Sequence, residues 1–320
     1  MNTQTRRSFL LAASVSALIP RSAPAQSQVT RIVVPFNAGG ATDNYVRLIA
    51  SELSNLGVQT IVENKPGASG IIGADYVAKS KPDGATLFMG SNSTMANNTV
   101  LFEKMPYDPV RDFAPVSNIG YQPSILIARV DLPYKDLKEM IAYAKANPGR
   151  INRGSVGAGN ISNLAGLLLD KTAGITTTHV PYTGDTPTIQ GLLTGSIDIY
   201  MGSITQTLAH VQAGKLRILA VADSKRLWQL PDVPTFKEAG YDIDSYAWYC
   251  LVAPTGSPQP IVDKLNREIN QVLAQDSFLQ RARQMGLEVR GGSPDDLRRF
   301  VKAEYDRWVP MLKELNIPKM

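Results

Sequence analysis

Two glycine-rich loops hold the residues whose types and spacing could do chemistry. The first is VVPFNAGGATDN, Val33 to Asn44, and the second is NRGSVGAGNISN, Asn152 to Asn163. Each lies between a strand-like run and a helix-like run. Unblocked backbone N–H groups at a helix N-terminus, aided by the helix dipole, make a site for an anion. Neither loop contains lysine, histidine or cysteine. No Gly-Lys-Ser/Thr ending makes the first a nucleotide-phosphate loop, and it is not a G-x-G-x-x-G dinucleotide fingerprint. No G-x-S-x-G nucleophile elbow is present, and Ser91, Ser155 and Ser162 have no sequence-evident His/Asp partners. Gly39-Gly40 alone could be a plain tight turn. A second such loop at the corresponding place in a second unit favours an anion-binding cleft.

The elements that must position these loops alternate between strand and helix, which predicts an α/β architecture with mostly parallel sheets. Arg31–Pro35 is an apolar β-branched run, followed by a helix with Val46, Ile49, Ala50 and Leu53 at helical spacing behind Thr42-Asp43. Strands are expected at 59–63 and 86–90, with a helix over 70–79 between them. The second ends directly before Ser91-Asn92-Ser93-Thr94, and ligands of open α/β sheets bind beyond the carboxyl ends of strands. A second unit starts near 124–130. It continues with a helix over 137–146, a strand over 152–155 feeding the second loop, a helix over 162–172 and a strand over 177–180. The polar turn Tyr182–Pro187 and strands near 197–201 and 216–221 complete it.

Strand-like Tyr246–Val252 is followed by amphipathic helices over 261–274, 278–285 and 294–315, with Pro310 expected to kink or interrupt the last. Too few strands remain there for a separate domain, so the tail should pack on the first unit. The chain then crosses between lobes twice, near 120–125 and 245–250, and two crossings make a hinge. The expected lobes are residues 26–123 with 248–320, and residues 124–247.

Residues 1–25 read as a signal peptide cleaved after Ala25: Arg6 and Arg7, an apolar run over 9–19, then Ala23-Pro24-Ala25. The run is too short to span a bilayer. Arg6-Arg7 resembles a twin-arginine signal without its usual lysine, so both that route and the general secretory route stay open. Three of the five net positive charges, Arg6, Arg7 and Arg21, lie in this segment, leaving +2 for the remainder. Nucleic-acid recognition needs a basic stripe, and the Lys and Arg residues are instead scattered among acids. Cys250 is the one cysteine, in an apolar run that suits a small buried hydrophobe. His179 and His210 lack metal-ligand spacing, so neither metal nor cofactor is expected.

The segments VVPFNAGGATDNYVR, IVENKPGASGIIGADYVAKSKPDGATL, RGSVGAGNISNLAGLLL, THVPYTGDTPTIQGLLTGSID and DVPTFKEAGYD occur in order along the chain. Together they resemble the Bug/TctC family, the solute-binding proteins of tripartite tricarboxylate transporters. The resemblance implies a periplasmic two-lobed "Venus flytrap" that captures a small organic carboxylate and delivers it to a membrane permease. It also implies that one ligand carboxylate is held between the glycine loops by backbone N–H groups, small hydroxyls and ordered water. Carried over by motif, the ligand-binding set is Phe36, Gly39, Gly40, Ala41 and Thr42, with Asp43 capping the helix. Ser91, Asn92 and Ser93 join it from the strand end. From the second lobe come Ser155, Gly159, Asn160 and Ser162, with Tyr182, Thr183 and Asp185 at the ligand's far end.

Four positions depart from the family pattern: Asn37 for a small residue or proline, Thr183 for a lysine, Gln190 for an aspartate and Asn163 for a histidine. Without that lysine the far end of the ligand loses a partner for a second carboxylate. Asp185 should repel a carboxylate unless screened, or attract an amine. A monomeric, non-enzymatic receptor for a mono- or dicarboxylate, aliphatic or aromatic, is the expectation. The alternatives are a sensory receptor presenting its ligand to a membrane kinase, and an enzyme using the cradle as an oxyanion site. The second lacks an evident base, since neither histidine falls in a glycine loop.

Overall fold

In the computed structural model, residues 29–157, 159–314 and 319 are described; the expected signal peptide lies outside them. Their strands form two sheets, of six and five strands.

The first sheet begins with β1 (Thr30–Val34), which runs through α1 (Ala41–Asn55) to β2 (Thr60–Asn64). Then α2 (Ile71–Ala78) leads to β3 (Thr86–Ser91), a π-helical turn over Ser93–Asn97 and the short α3 (Asn98–Leu101). The long β4 (Phe113–Pro123) carries the chain out of this sheet. One residue later it enters the second sheet as β5 (Ile125–Arg129). There follow α4 (Leu137–Ala146), β6 (Asn152–Ser155), α5 (Ile161–Ala173), β7 (Thr178–Pro181), α6 (Asp185–Thr194), β8 (Ile199–Gly202), α7 (Ile204–Gln212) and β9 (Leu216–Val221). The chain returns through β10 (Tyr246–Pro254) and closes with α8 (Gln259–Leu273), α9 (Asp276–Gln284), β11 (Glu288–Val289) and α10 (Pro294–Glu314). Strand order is β11-β4-β10-β3-β1-β2 in the first sheet and β7-β6-β8-β5-β9 in the second.

Both sheets are mixed, which corrects the expectation of mostly parallel ones. β1 pairs parallel with β2 and β3, and β6 pairs parallel with β7 and β8. β10 runs antiparallel to β3 and β4, and β5 runs antiparallel to β8 and β9. The reason is the double crossing. A strand entering a lobe from the hinge runs away from the cleft, against strands whose carboxyl ends face it. At the crossing the chains hold each other: the Ser124 N–H donates to Ser245 O at 2.9 Å, and Ser245 N–H to Ala222 O at 3.1 Å.

Apolar residues fill both faces of each sheet. Ile32, Ile49, Leu87 and Leu251 pack on one side of the first, with Val33, Phe88, Trp248 and Val252 on the other. Leu126, Ile141, Leu169 and Ile199 pack on one side of the second, with Ile127, Leu192, Ile197 and Tyr200 on the other. Near-continuous apolar runs such as TRIVV are what strands covered on both faces require. The C-terminal helices α8 and α10 pack against β4. Beyond that, Trp308 and Leu312 of α10 reach Leu164 of α5 in the other lobe. α10 continues through Pro310 rather than being interrupted there. Its buried Trp308, Val309 and Leu312 anchor it on either side of the missing N–H. Among the described residues, no helix is long and apolar enough to cross a membrane.

Candidate functional site: two loops facing one cleft

The strand registers decide where the loops point. Tyr246 pairs with Pro123 at the crossing, and three residues further on Tyr249 pairs with Ser91, so the carboxyl end of β3 lies toward the hinge. Gly202, the last residue of β8, pairs with Ile125 beside the same crossing. β1 and β6 run parallel to these strands, so both glycine loops emerge toward the junction of the two lobes.

In the first loop, Asp43 organises the backbone. Its carboxylate accepts from Gly39 N–H at 2.8 Å, Arg47 Nε at 2.8 Å and Asn64 Nδ2 at 2.9 Å. Burial pushes this carboxyl up, but the bonds from Arg47, Gly39 and Asn64 outweigh it and hold it below the usual range. Asp43 therefore shapes the loop; its oxygens are committed. Asn64 also donates to Phe36 O at 3.1 Å, which fixes the approach to the glycines. Gly39 sits at φ 83°, where a side chain is strained, while Gly40 is the extended N-cap of α1. Helix geometry leaves the first-turn N–H groups of Ala41 and Thr42 without an intrahelical acceptor.

The strand-end residues divide in role. Ser91 Oγ is buried with no partner among the described residues, beside its cross-strand neighbour Tyr249. An orphaned buried hydroxyl normally calls for a water or a ligand. Asn92 is spent on structure: its Nδ2 donates to Tyr246 O at 3.0 Å and its Oδ1 accepts from Trp248 N–H at 2.9 Å. Ser93 is buried as the first residue of the π-helical turn.

The second loop is internally bonded. Ser162 Oγ accepts from Val156 N–H at 3.0 Å, Asn160 caps α5 by accepting from Ser162 N–H at 3.0 Å, and Gly157 N–H reaches Ser155 Oγ at 3.2 Å. Gly159 is buried within it. The parallel register of β6 on β7 pairs Arg153 with His179, and it brings His179 Nε2 to 2.6 Å from Ser155 Oγ. This corrects the expectation that no base lies near Ser155; only the pairing of two strands reveals it. Burial, then the Arg153 charge, holds the imidazole below its ordinary value of 6.5, so it is neutral near pH 7. With Nε2 carrying the proton, His179 and Gly157 N–H both donate to Ser155 Oγ, whose own proton rests on Gly157 O at 3.3 Å and can turn to an anion. With the other tautomer that proton is spent on the imidazole.

Arg153 is a functional residue that the loop motif conceals. Its guanidinium is 1% exposed beneath the second loop, with Nη1 3.0 Å from Asn163 Oδ1 in the first turn of α5 and Nε 3.0 Å from Thr177 Oγ1. A fixed positive charge thus lies behind a helix N-terminus that already favours anions. The signal was the Arg-Gly-Ser run itself, an arginine in the short strand that feeds the loop.

The far-end residues are not one group. Tyr182 lays its ring over α6: a Cβ at Gly191 would meet Tyr182 Oη at 2.5 Å, and the ring belongs to the apolar cluster of the second sheet. Thr183 is exposed. The Asp185 carboxylate accepts from the buried Tyr200 hydroxyl, and burial pushes it up. Cys250 is buried, packed near Gly90 and Met95, with its thiol pushed up by burial. No cluster of three metal-ligating side chains exists among the described residues. Two surface cavities of about 630 and 760 Å³ are lined by other residues, including Phe102, Met105 and Tyr305 for one and Arg129, His210 and Lys215 for the other.

The chain matches the family model of the tripartite tricarboxylate transporter family receptor over residues 45–317. It belongs to that family. Protein BugT of Bordetella pertussis (strain Tohama I) is 33% identical over 307 residues, covering 95% of this chain and 93% of BugT. Among solved structures, R. palustris Rpa4515 with adipate is similar at a TM-score of 0.86 and 34% identity, covering 92% of this chain and 100% of that one. MatC (Rpa3494) from Rhodopseudomonas palustris with bound malate gives 0.80 and 35%, covering 89% and 98%. The family receptor carries the two-lobed binding-protein fold seen here.

The Ser155–His179 pair gives a pH signature. The unfolded chain takes up a proton near pH 6.5 that the folded imidazole refuses, so stability rises with pH until about that value. His179→Gln should flatten this part of the profile in urea unfolding followed from pH 5 to 7.5. Ser155→Ala should weaken carboxylate binding by about tenfold to a hundredfold, the worth of one hydrogen bond to an ionised group. An unchanged dissociation constant places the hydroxyl off the ligand.

Proposed function

We infer that this chain is a periplasmic receptor that takes a small organic carboxylate into the cleft between its lobes and delivers it to the permease of a tripartite transporter. The supporting observation is the pair of glycine loops at the N-termini of α1 and α5, both directed to the interlobe junction, with Arg153 behind one of them. The adipate- and malate-bound relatives agree in ligand class. In this reading the carboxylate is gripped by the N–H groups around Gly39, Gly40, Ala41 and Thr42, by the Ser91 hydroxyl, and by Ser155 and the Gly159–Ser162 turn. Four or five hydrogen bonds to an ionised group, at about 1.5–3 kcal/mol each, supply the roughly 8 kcal/mol of micromolar binding after ordering costs. Contacts from both lobes favour closure by differential affinity.

Residues 26–123 with 248–320 form the first proposed lobe and 124–247 the second, with the exported form a monomer cleaved after Ala25. Capture without chemistry is part of the proposal. The 2.6 Å Ser155–His179 contact favours a hydrolytic rival. Against it, among the described residues no carboxylate orients the imidazole as a triad requires. Turnover of carboxylate esters by the purified protein would establish that rival. A thermal-shift screen of aliphatic, aromatic, hydroxy- and amino-carboxylates tests the receptor reading. A ligand at a hundredfold excess over its dissociation constant adds about 2.7 kcal/mol of apparent stability. No shift with any carboxylate defeats the reading.

A further inference from the structure

One acid faces the cleft without a counter-charge. Asp185 is the first residue of α6, and its carboxylate accepts from the Tyr200 hydroxyl of β8 in the same lobe. From the opposite lobe, Tyr45 and Tyr249 stand close enough for the Asp185 charge to act on their hydroxyls. Their rings meet edge to face with centroids 5.1 Å apart. Tyr249 in turn pairs across strands with Ser91, at the end of β3 beside the first glycine loop. Asp185 therefore lies one side chain away from the place where the ligand carboxylate is held, across the closing gap. Among the described residues no lysine or arginine offsets it; burial and the Tyr200 hydroxyl are what act on its carboxyl.

Two negative charges at this separation, in a cleft that closes over them, repel strongly. The loops bring one with every carboxylate ligand, and Asp185 supplies the other. A ligand with a second carboxylate adds a third and meets Thr183 where a lysine could have helped. A ligand with a protonated amine cancels the Asp185 charge and offers donors to its oxygens and to the tyrosine hydroxyls. Aromatic rings bordering an acid are also a favourable surrounding for a cation. We propose that the ligand is an amino-carboxylate, its carboxylate between the glycine loops and its ammonium on Asp185 with Tyr200. This rests on the receptor reading above and names its substrate class.

The charges give opposite signs with pH. The amino-carboxylate needs Asp185 ionised, so its affinity falls as pH drops through the raised range of this carboxyl. A dicarboxylate needs Asp185 protonated, so its affinity rises over the same interval. The titratable groups facing Asp185 are Tyr200 on β8, Tyr249 on β10 and Tyr45 on α1; burial pushes all three up, so none titrates there.

The test is calorimetric titration of the mature protein with the ω-amino acids from glycine to 6-aminohexanoate, each against the dicarboxylate of equal carbon count, from oxalate to adipate. The expected result is one amino acid binding about tenfold or more tighter than its dicarboxylate partner, a preference that shrinks as pH is lowered from 7 and the Asp185 carboxyl takes up its proton. Asp185→Asn should erase that preference and improve the dicarboxylate. The ratio of the two wild-type affinities against pH needs no variant, and it cancels His179, which acts on the shared carboxylate of both ligands, so it decides the matter even if Asp185→Asn folds poorly. A dicarboxylate that binds as tightly as its amino partner, or a ranking untouched by Asp185→Asn, overturns the amine assignment while leaving the carboxylate cradle standing. Failure of both series, with simple monocarboxylates also inert, removes the cradle itself and this inference with it.

Discussion

Arg153→Met is expected to destabilise the protein by about 3–5 kcal/mol, the cost of leaving a buried carboxylate without the cation that faces it across Thr177. The guanidinium is 1% exposed and bonds Thr177 Oγ1, which in turn donates to Asp170 Oδ2 at 2.7 Å. Asp170 Oδ1 is buried with no hydrogen-bond partner, and burial already pushes this carboxyl up against the pull of Thr177 and Arg153. Without the cation, Asp170 is left as an uncompensated buried charge. Urea unfolding at pH 7 measures the loss. Asp170→Asn added to Arg153→Met should recover a large part of it, since an amide needs no counter-charge. Arg153→Lys should recover little, because one ammonium cannot reach both Thr177 and Asn163 in the guanidinium's geometry. Gly166 belongs to the same argument: a Cβ there would lie 2.2 Å from Arg153 Nη1, so the helix is glycine where the arginine passes under it. Binding should weaken as well, because the charge beneath α5 disappears. A loss under about 1 kcal/mol would mean the pair is solvated in solution and contributes little.

Elements with one clear period were legible in the sequence. α4 and β9 have the expected bounds, and α1, α5 and α8 follow their apolar spacing. β4 escaped because its eleven residues include Ser117, Asn118, Gly120 and Gln122, which break the apolar run. The strand is bought by tertiary bonds that no local window contains: Gln122 Nε2 reaches Thr205 Oγ1 at 2.7 Å and Met285 O at 3.2 Å. Irregular register between β4 and β10 further blurs its period. Part of the segment read as the Tyr182–Pro187 turn is the first turn of α6, where Gly184 at φ 135° ends the loop and Pro187 is accommodated near the helix start.

The two loops were legible because glycines and small hydroxyls between a strand and a helix have few other uses. Their supports were not. Asp43 and Asn92 look like ligand residues by motif, yet their polar atoms are consumed by Gly39, Arg47 and Asn64 in one case and by the β10 backbone in the other. His179 looked inert because its partner is 24 residues away and arrives through a parallel strand pair. Residue type announces a cradle; which atoms remain available to a ligand depends on who else has claimed them.

Gly40→Leu should abolish ligand binding while leaving the unliganded fold nearly intact. An N-cap side chain lies beside the N–H groups of the first turn, which is why polar N-caps bond them. An isobutyl group at that position covers the same donors and excludes an anion. The backbone permits the change, since Gly40 has φ −75° and ψ 171°, an ordinary extended conformation. A Cβ built there meets only Asn37 O at 3.6 Å, a normal contact. No capping bond is lost, as α1 has none from its N-cap side chain. The apparent stability of the unliganded variant should stay within about 1 kcal/mol of the original. The shift produced by the strongest carboxylate in the thermal screen should vanish. Gly39→Leu makes the contrast: at φ 83° the substitution strains the backbone by about 1–2 kcal/mol, so its unliganded fold suffers first. Gly40→Leu that folds normally and still binds would place the carboxylate elsewhere, because a covered set of amides cannot hold it.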